Sequence, residues 1–316
     1  MLVLALVTAH FAVAAEEQCI TNGTNVRLRA APQNTALITS ELPLGTELSV
    51  LDRSGVASDP WLRVRTNDGR DGWVLGRLTT KIDPQRYDEM IESVVLDQLK
   101  KEAELSGTTF EARVQLFDLI ERRVGRAKDR EQNARFGLYR LRSMQHVFSS
   151  VPFQGNNREP FRSWIAKHED AARYNSPAGA WMVDPEYTKR VHDSYHDAQI
   201  AEDIAWFYVE NGLSGECEGD VPCYVSWTNQ LEGWYLRTHP TGSHADDANA
   251  QVAVKLNGAM DNLQSFPRVL AEFDPIKRCG ELHTSLDPLA AAVSASVSSR
   301  SREALAAIDR FAKLCR

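Results

Sequence analysis

The residues best spaced to do chemistry are His192-Asp193-Ser194-Tyr195-His196. Two imidazoles at i and i+4 share one helix face and suit zinc, as in His-Glu-x-x-His metallopeptidases. Asp193 stands where that motif carries its general-base Glu, and its shorter side chain does not reach a metal-bound water in the same way. A third ligand is also required, and Glu202, Glu210 and His168 are the candidates that folding would have to bring close. The alternative places His192 and His196 on the polar face of an amphipathic helix, beside a stripe containing Val191 and Tyr195. That reading is preferred. A zinc-dependent peptidase or amidase is kept as the alternative function.

Other chemistries find less support. Glu216, Glu218 and Asp220 alternate around Cys217 and offer oxygens to calcium, but the EF-hand spacing is absent. An exposed acidic turn closed by a disulfide accounts for them equally well. There is no Gly-x-Ser-x-Gly elbow, Ser-x-x-Lys, phosphate loop or dinucleotide fingerprint, and no cysteine in a papain-like setting. No catalytic residue, cofactor or metal is therefore expected.

The 316-residue chain carries 43 acidic against 36 basic residues, a formal charge of −7. Duplex binding needs cationic side chains to neutralise phosphates, so no nucleic-acid partner is expected. The local basic run Arg122, Arg123, Arg126, Lys128 and Arg130 is flanked by acidic residues and reads as a solvated helix face. Leu2 to Ala15 form an apolar run broken by Thr8 and His10, with Ala12-Val13-Ala14 as a small-x-small cleavage pattern. This predicts a signal peptide over 1–15, although no Lys or Arg precedes it, so either the leader is atypical or the true start lies upstream. No other run reaches the ~18 apolar residues of a membrane span. A periplasmic or secreted protein without a transmembrane segment after cleavage is expected.

The cysteines agree with export. Cys217 and Cys223 bracket the acidic turn, while Cys279 and Cys315 lie near the ends of the last helical segment. Local pairing, 217 with 223 and 279 with 315, is the expected connectivity, although sequence alone does not fix it. Cys19 is left over, and Glu16-Glu17-Gln18 before it is not a lipobox.

Two kinds of element must position these residues. From Ile20 to Lys81 short alternating runs, such as Val26-Arg27-Leu28-Arg29-Ala30 and Trp61-Leu62-Arg63-Val64-Arg65, lie between Gly and Pro turns. Asn67-Asp68-Gly69 is a hairpin signal. About five short strands are expected, forming a small barrel. After Thr80 the period becomes 3.6: Tyr87, Met90, Ile91, Val94, Val95 and Leu99 make one stripe, and Asp83-Pro84 reads as a helix start. Further helices are expected around 110–124, 136–148, 186–211 with a bend near Asp197, and 224–236. Strand-like alternation is not expected to return after residue 81. The fold class is thus α+β multidomain: an all-β SH3-like barrel over 20–81, then an all-α domain over 82–316.

Four motifs carry a resemblance. Val26-Arg27-Leu28-Arg29-Ala30-Ala31-Pro32, Leu44-Gly45-Thr46, Trp61-Leu62-Arg63-Val64 and Asp68-Gly69-Arg70-Asp71-Gly72-Trp73-Val74 resemble the bacterial SH3 domain in order and spacing. Arg27 departs from the family's usual Asn, and Ala31 from its frequent Gly. The resemblance covers about a fifth of the chain and implies a module that binds cell-wall peptide or an envelope protein. Arg29, Trp61, Asp68 and Trp73 are the candidate ligand-binding residues, although in so small a barrel both indoles also suit its core. Tyr235-Leu236, His239-Pro240, Gly242 and Ala245 to Ala248 resemble the turn of tetratricopeptide-like helical hairpins, which implies an interaction scaffold. The whole arrangement looks like exported SH3-domain proteins of Proteobacteria and relatives, a family that lends no activity.

Overall fold

The computed structural model describes residues 17–104, 108–153, 155–213, 215–218, 220–265 and 275–315. The expected leader over 1–15 lies outside the described residues. The chain divides into two compact units, Met1–Arg122 and Arg123–Arg316.

Seven short strands open the first unit: β1 (Gln18–Thr21), β2 (Val26–Arg29), β3 (Ile38–Leu42), β4 (Glu47–Ser54), β5 (Trp61–Thr66), β6 (Asp71–Leu75) and β7 (Thr79–Lys81). They form one curled antiparallel sheet in the order β3-β2-β6-β5-β4-β1-β7, an SH3-like half-barrel whose edges are β3 and β7. Alternation decides which side is buried. In β5, Leu62, Val64 and Thr66 point inward while Trp61, Arg63 and Arg65 point outward. The inward residues meet Cys19, Val26, Leu28, Leu42, Leu48 and Val74 in one core. Burying each of the larger aliphatic side chains contributes roughly 1.5–3 kcal/mol.

Two glycines are required. Gly69, at φ +85°, supplies the left-handed residue of the β5–β6 hairpin. Gly72 lies where β6 passes Leu28, and an added Cβ would sit 2.6 Å from that residue's Cγ. The expected five strands are joined by β1 and β7, which pair with each other through Cys19↔Lys81 and Thr21↔Thr79. They carry no alternation to read: Cys19, Ile20 and Thr21 are all buried, and Thr79-Thr80-Lys81 is polar throughout.

Helices α1 (Tyr87–Glu104) and α2 (Phe110–Glu121) complete this unit. Gln98 Nε2 donates to the Asn22 carbonyl at 2.9 Å, and Gln115 Oε1 accepts from Leu44 N at 3.1 Å. Tyr87 Oη donates to Glu47 at 2.7 Å. Element type changes after Lys81, yet contacts group α1 and α2 with the sheet. Helix α1 begins three residues beyond Pro84, because Asp83 Oδ1 accepts from Gln85 N at 2.9 Å and closes a local turn first.

The second unit holds α3 (Arg130–Ser149), α4 (Phe161–Lys167), β8 (Ala172–Asn175), β9 (Ala180–Val183), α5 (Pro185–Ser194), α6 (Ala201–Asn211) and α7 (Val221–Thr228). A π-helical turn, Asn229–Gly233, leads directly into α8 (Trp234–Thr238), followed by α9 (Ala245–Ser265), α10 (Pro275–Ala295) and α11 (Ser301–Ala312). Side-chain oxygens of Asp129 and Asp184 cap α3 and α5, and Pro185 occupies the first turn of α5.

The β8–β9 hairpin corrects the expectation that strands end at residue 81. Asn175-Ser176-Pro177-Ala178-Gly179, read as a break, is its turn, and Gly179 has φ +62°. Each strand is only four residues long, too short for a period of two to stand out. The bend expected near Asp197 is a full interruption between α5 and α6. A core that includes Ala205, Val225, Leu236, Val252, Leu256, Leu286, Val293 and Phe311 joins α6–α11. Cys217 is bonded to Cys223, and Cys279 to Cys315. No described helix is long and apolar enough to cross a membrane.

Candidate functional site

The outward face of the half-barrel gathers aromatic and cationic side chains. Strand register sets Trp73 of β6 opposite Arg29 of β2 on one side and opposite Arg63 of β5 on the other. Arg63 in turn faces Asp52, and Arg29 faces Ile38. A single row, Asp52–Arg63–Trp73–Arg29–Ile38, therefore crosses five strands, with directly opposed side chains roughly 5 Å apart at Cβ. Trp61 lies on the same face, two residues before Arg63 on β5. Both indoles are half-buried, and Arg63 and Ile38 are exposed. Arg29 Nη1 donates to the Ala36 carbonyl at 2.8 Å, which fixes its side chain against the β2–β3 loop.

Three of the four ligand-binding candidates thus share this face, and the fourth is held elsewhere. Asp68, in the β5–β6 turn, accepts from Arg70 Nε at 3.0 Å and from the Thr66 hydroxyl. Those bonds hold its carboxyl down to about 2. Arg70 continues the clasp by donating from Nη1 to Ser40 Oγ at 2.6 Å, tying the hairpin to β3. Asp68 is therefore engaged in building the hairpin. Arg63 was not among the candidates, although the alternation Trp61-Leu62-Arg63 already put it on the outward side. Its guanidinium forms no ion pair or hydrogen bond with another described residue, whereas that of Arg65, next on that face, is paired with Asp71 at 2.8 Å.

Helix α5 ends at Ser194, so His196 falls beyond it and the helical i, i+4 relationship with His192 is lost. His196 is exposed and its Nδ1 donates to the Asp193 carbonyl at 2.9 Å. His192 is buried, with its Nε2 2.9 Å from Nε2 of His239. The proposed third ligands are engaged or distant in role. Glu202 accepts from Ser243 N and Oγ at 3.1 and 2.8 Å, and His168 Nδ1 donates to the Trp164 carbonyl at 2.8 Å. Glu210 is exposed at the end of α6. In the acidic turn, Asp220 is bound by Arg278 at 2.7 Å. Among the described residues, no group of three or more His, Cys, Asp or Glu side chains is arranged to hold a metal ion. Cys19 is buried beneath the sheet, which pushes its thiol up to about 11 and leaves it unreactive near neutral pH.

A curled antiparallel sheet with an aromatic and cationic outer face defines a small all-β binding module. Residues 24–80 match the family model of the bacterial SH3 domain. Comparison with curated proteins and with solved structures returned no match.

Proposed function

We propose that this is an exported envelope-binding protein whose half-barrel holds cell-wall peptide or an acidic segment of an envelope protein. The observation that carries the reading is the placing of Trp73 between Arg29 and Arg63. An indole offers a flat apolar platform, and guanidinium groups pair with carboxylates in bidentate geometry. Peptides rich in free carboxylates present both kinds of partner. On a chain of net charge −7, a local cationic face also steers acidic ligands to one place. The helical unit then serves as an interaction scaffold. Two disulfides suit an oxidising compartment, which supports export.

The test is co-sedimentation of the full chain with purified peptidoglycan, in parallel with Arg63→Glu and Trp73→Ala variants. Retention of the intact protein and a loss of roughly tenfold in each variant are expected. An intact protein that stays in the supernatant ends the wall-binding reading.

A further inference from the structure

A cavity of about 450 Å³ opens in the second unit between α9 and the α7–π-turn segment. Small-molecule sites span roughly 300–1,000 Å³. Tyr224, Trp227 and Leu231 line one wall, spaced by three and four residues so that one helix face presents all three. Lys255, Gly258 and Asn262 of α9 line the other. A Cβ added at Gly258 would meet nothing within 4 Å, so this wall is low and leaves room for a flat apolar body beside the indole.

The polar end of the cavity is set by Lys255. Its Nζ donates to Glu232 Oε1 at 2.5 Å, with Glu232 wholly buried and the lysine side chain 41% exposed. The carboxylate therefore stands behind the amine. An ammonium has three donors, of which Glu232 takes one, leaving two at the cavity wall. Asn262 is exposed at the same wall, and its side-chain amide forms no hydrogen bond with another described residue. A buried carboxylate is costly unless it is paired, and here its partner is Lys255, a cation that lines the cavity. The π-helical turn widens the helix where Glu232 enters the interior, a distortion that recurs at functional sites.

We propose that this cavity binds a small amphipathic oxyanion, with a flat apolar body against Trp227 and a carboxylate or sulfonate on Lys255 and Asn262. The site is separate from the half-barrel face and stands or falls independently of wall binding.

The probe is 8-anilino-1-naphthalenesulfonate, titrated into the full chain by fluorescence, with uncharged N-phenyl-1-naphthylamine as the matched control. Saturable one-to-one binding of the anion is expected. Lys255→Met should weaken the anion roughly tenfold and leave the neutral probe almost unchanged, as loss of a charge-assisted hydrogen bond requires. Because that variant strands Glu232, the double variant Glu232→Gln/Lys255→Met is measured alongside it and should show the same selectivity. Gly258→Leu fills the open wall and favours the helix, so it should keep or raise the melting temperature while blocking both probes. Absence of saturable binding, or equal weakening of both probes by the lysine variants, overturns the proposal. So does undiminished binding to a folded Gly258→Leu protein.

Discussion

Nε2 of His192 and Nε2 of His239 lie 2.9 Å apart, so one imidazole donates the hydrogen that the other accepts. The contact joins α5 to the turn after α8. Trp234 packs edge-on against His192 at 5.1 Å, and the Asp193 and Glu202 carboxylates are the nearby acidic groups. Burial and the neighbouring imidazole hold His239 below its ordinary range. The unfolded chain therefore binds more protons than the folded one below about pH 6.5. Stability is full above that value and is lost as pH falls through the depressed folded pKa. Melting temperatures recorded from pH 8 to pH 5 should fall across the acidic part of that range. In His239→Gln the curve should be flatter. An unchanged slope would show that His239 does not titrate as described.

Asp68 and Arg63 separate hairpin architecture from binding. Arg70 and Thr66 lower the Asp68 pKa to about 2, so this carboxylate's contribution is present above about pH 4 and lost as pH falls towards 2. Asp68→Asn should weaken acid resistance in a circular-dichroism titration and leave peptidoglycan retention intact. Arg63→Glu should do the reverse. Equal loss of retention in both variants would return Asp68 to the binding surface.

Gly72→Ala tests the close approach of β2 and β6. Its Cβ would meet Leu28 Cγ at 2.6 Å and the Arg29 carbonyl at 3.0 Å. Overpacking of this kind costs about 1–3 kcal/mol, read from urea unfolding of the full chain. Because Arg29 belongs to the outward row, retention should weaken together with stability.

The two bridges differ in the length of chain they close. Cys217–Cys223 spans 6 residues and Cys279–Cys315 spans 36. Loop-closure entropy then predicts losses of about 2 and about 4 kcal/mol on paired Cys→Ser replacement. Urea midpoints of the two double variants should rank accordingly, and the opposite order would show that local packing dominates over chain entropy.

Local signals made the half-barrel legible. Alternation in β2 and β5, Gly69 at its turn and the Trp73 motif are each complete within a few consecutive residues. Strands β1 and β7 were hidden because one is buried on successive residues and the other is polar throughout. The same reasoning explains the helical unit. Apolar stripes marked helices, although the caps Asp129 and Asp184 went unread, and four-residue strands around Ser176–Gly179 left too little pattern. The partner of His192 was beyond reach, since His239 is 47 residues away and no spacing rule connects them. Lys255 and Glu232 met the same obstacle, whereas Arg63 was readable from alternation and was passed over in favour of the indoles.

The π-helical turn Asn229–Gly233 has a consequence for how the second unit tolerates change. Each residue rotates an α-helix by about 100°. Five residues of a π turn carry the chain about as far round the axis as four of an α-helix, so deleting one would restore regular winding and leave Trp234 and all that follows nearly in phase. Leu231 serves the cavity and Glu232 the interior, and both lie inside the turn, so theirs are the directions that the deletion would alter. One surplus residue thus sets the cavity wall and its buried carboxylate together, while the helix beyond is indifferent to it.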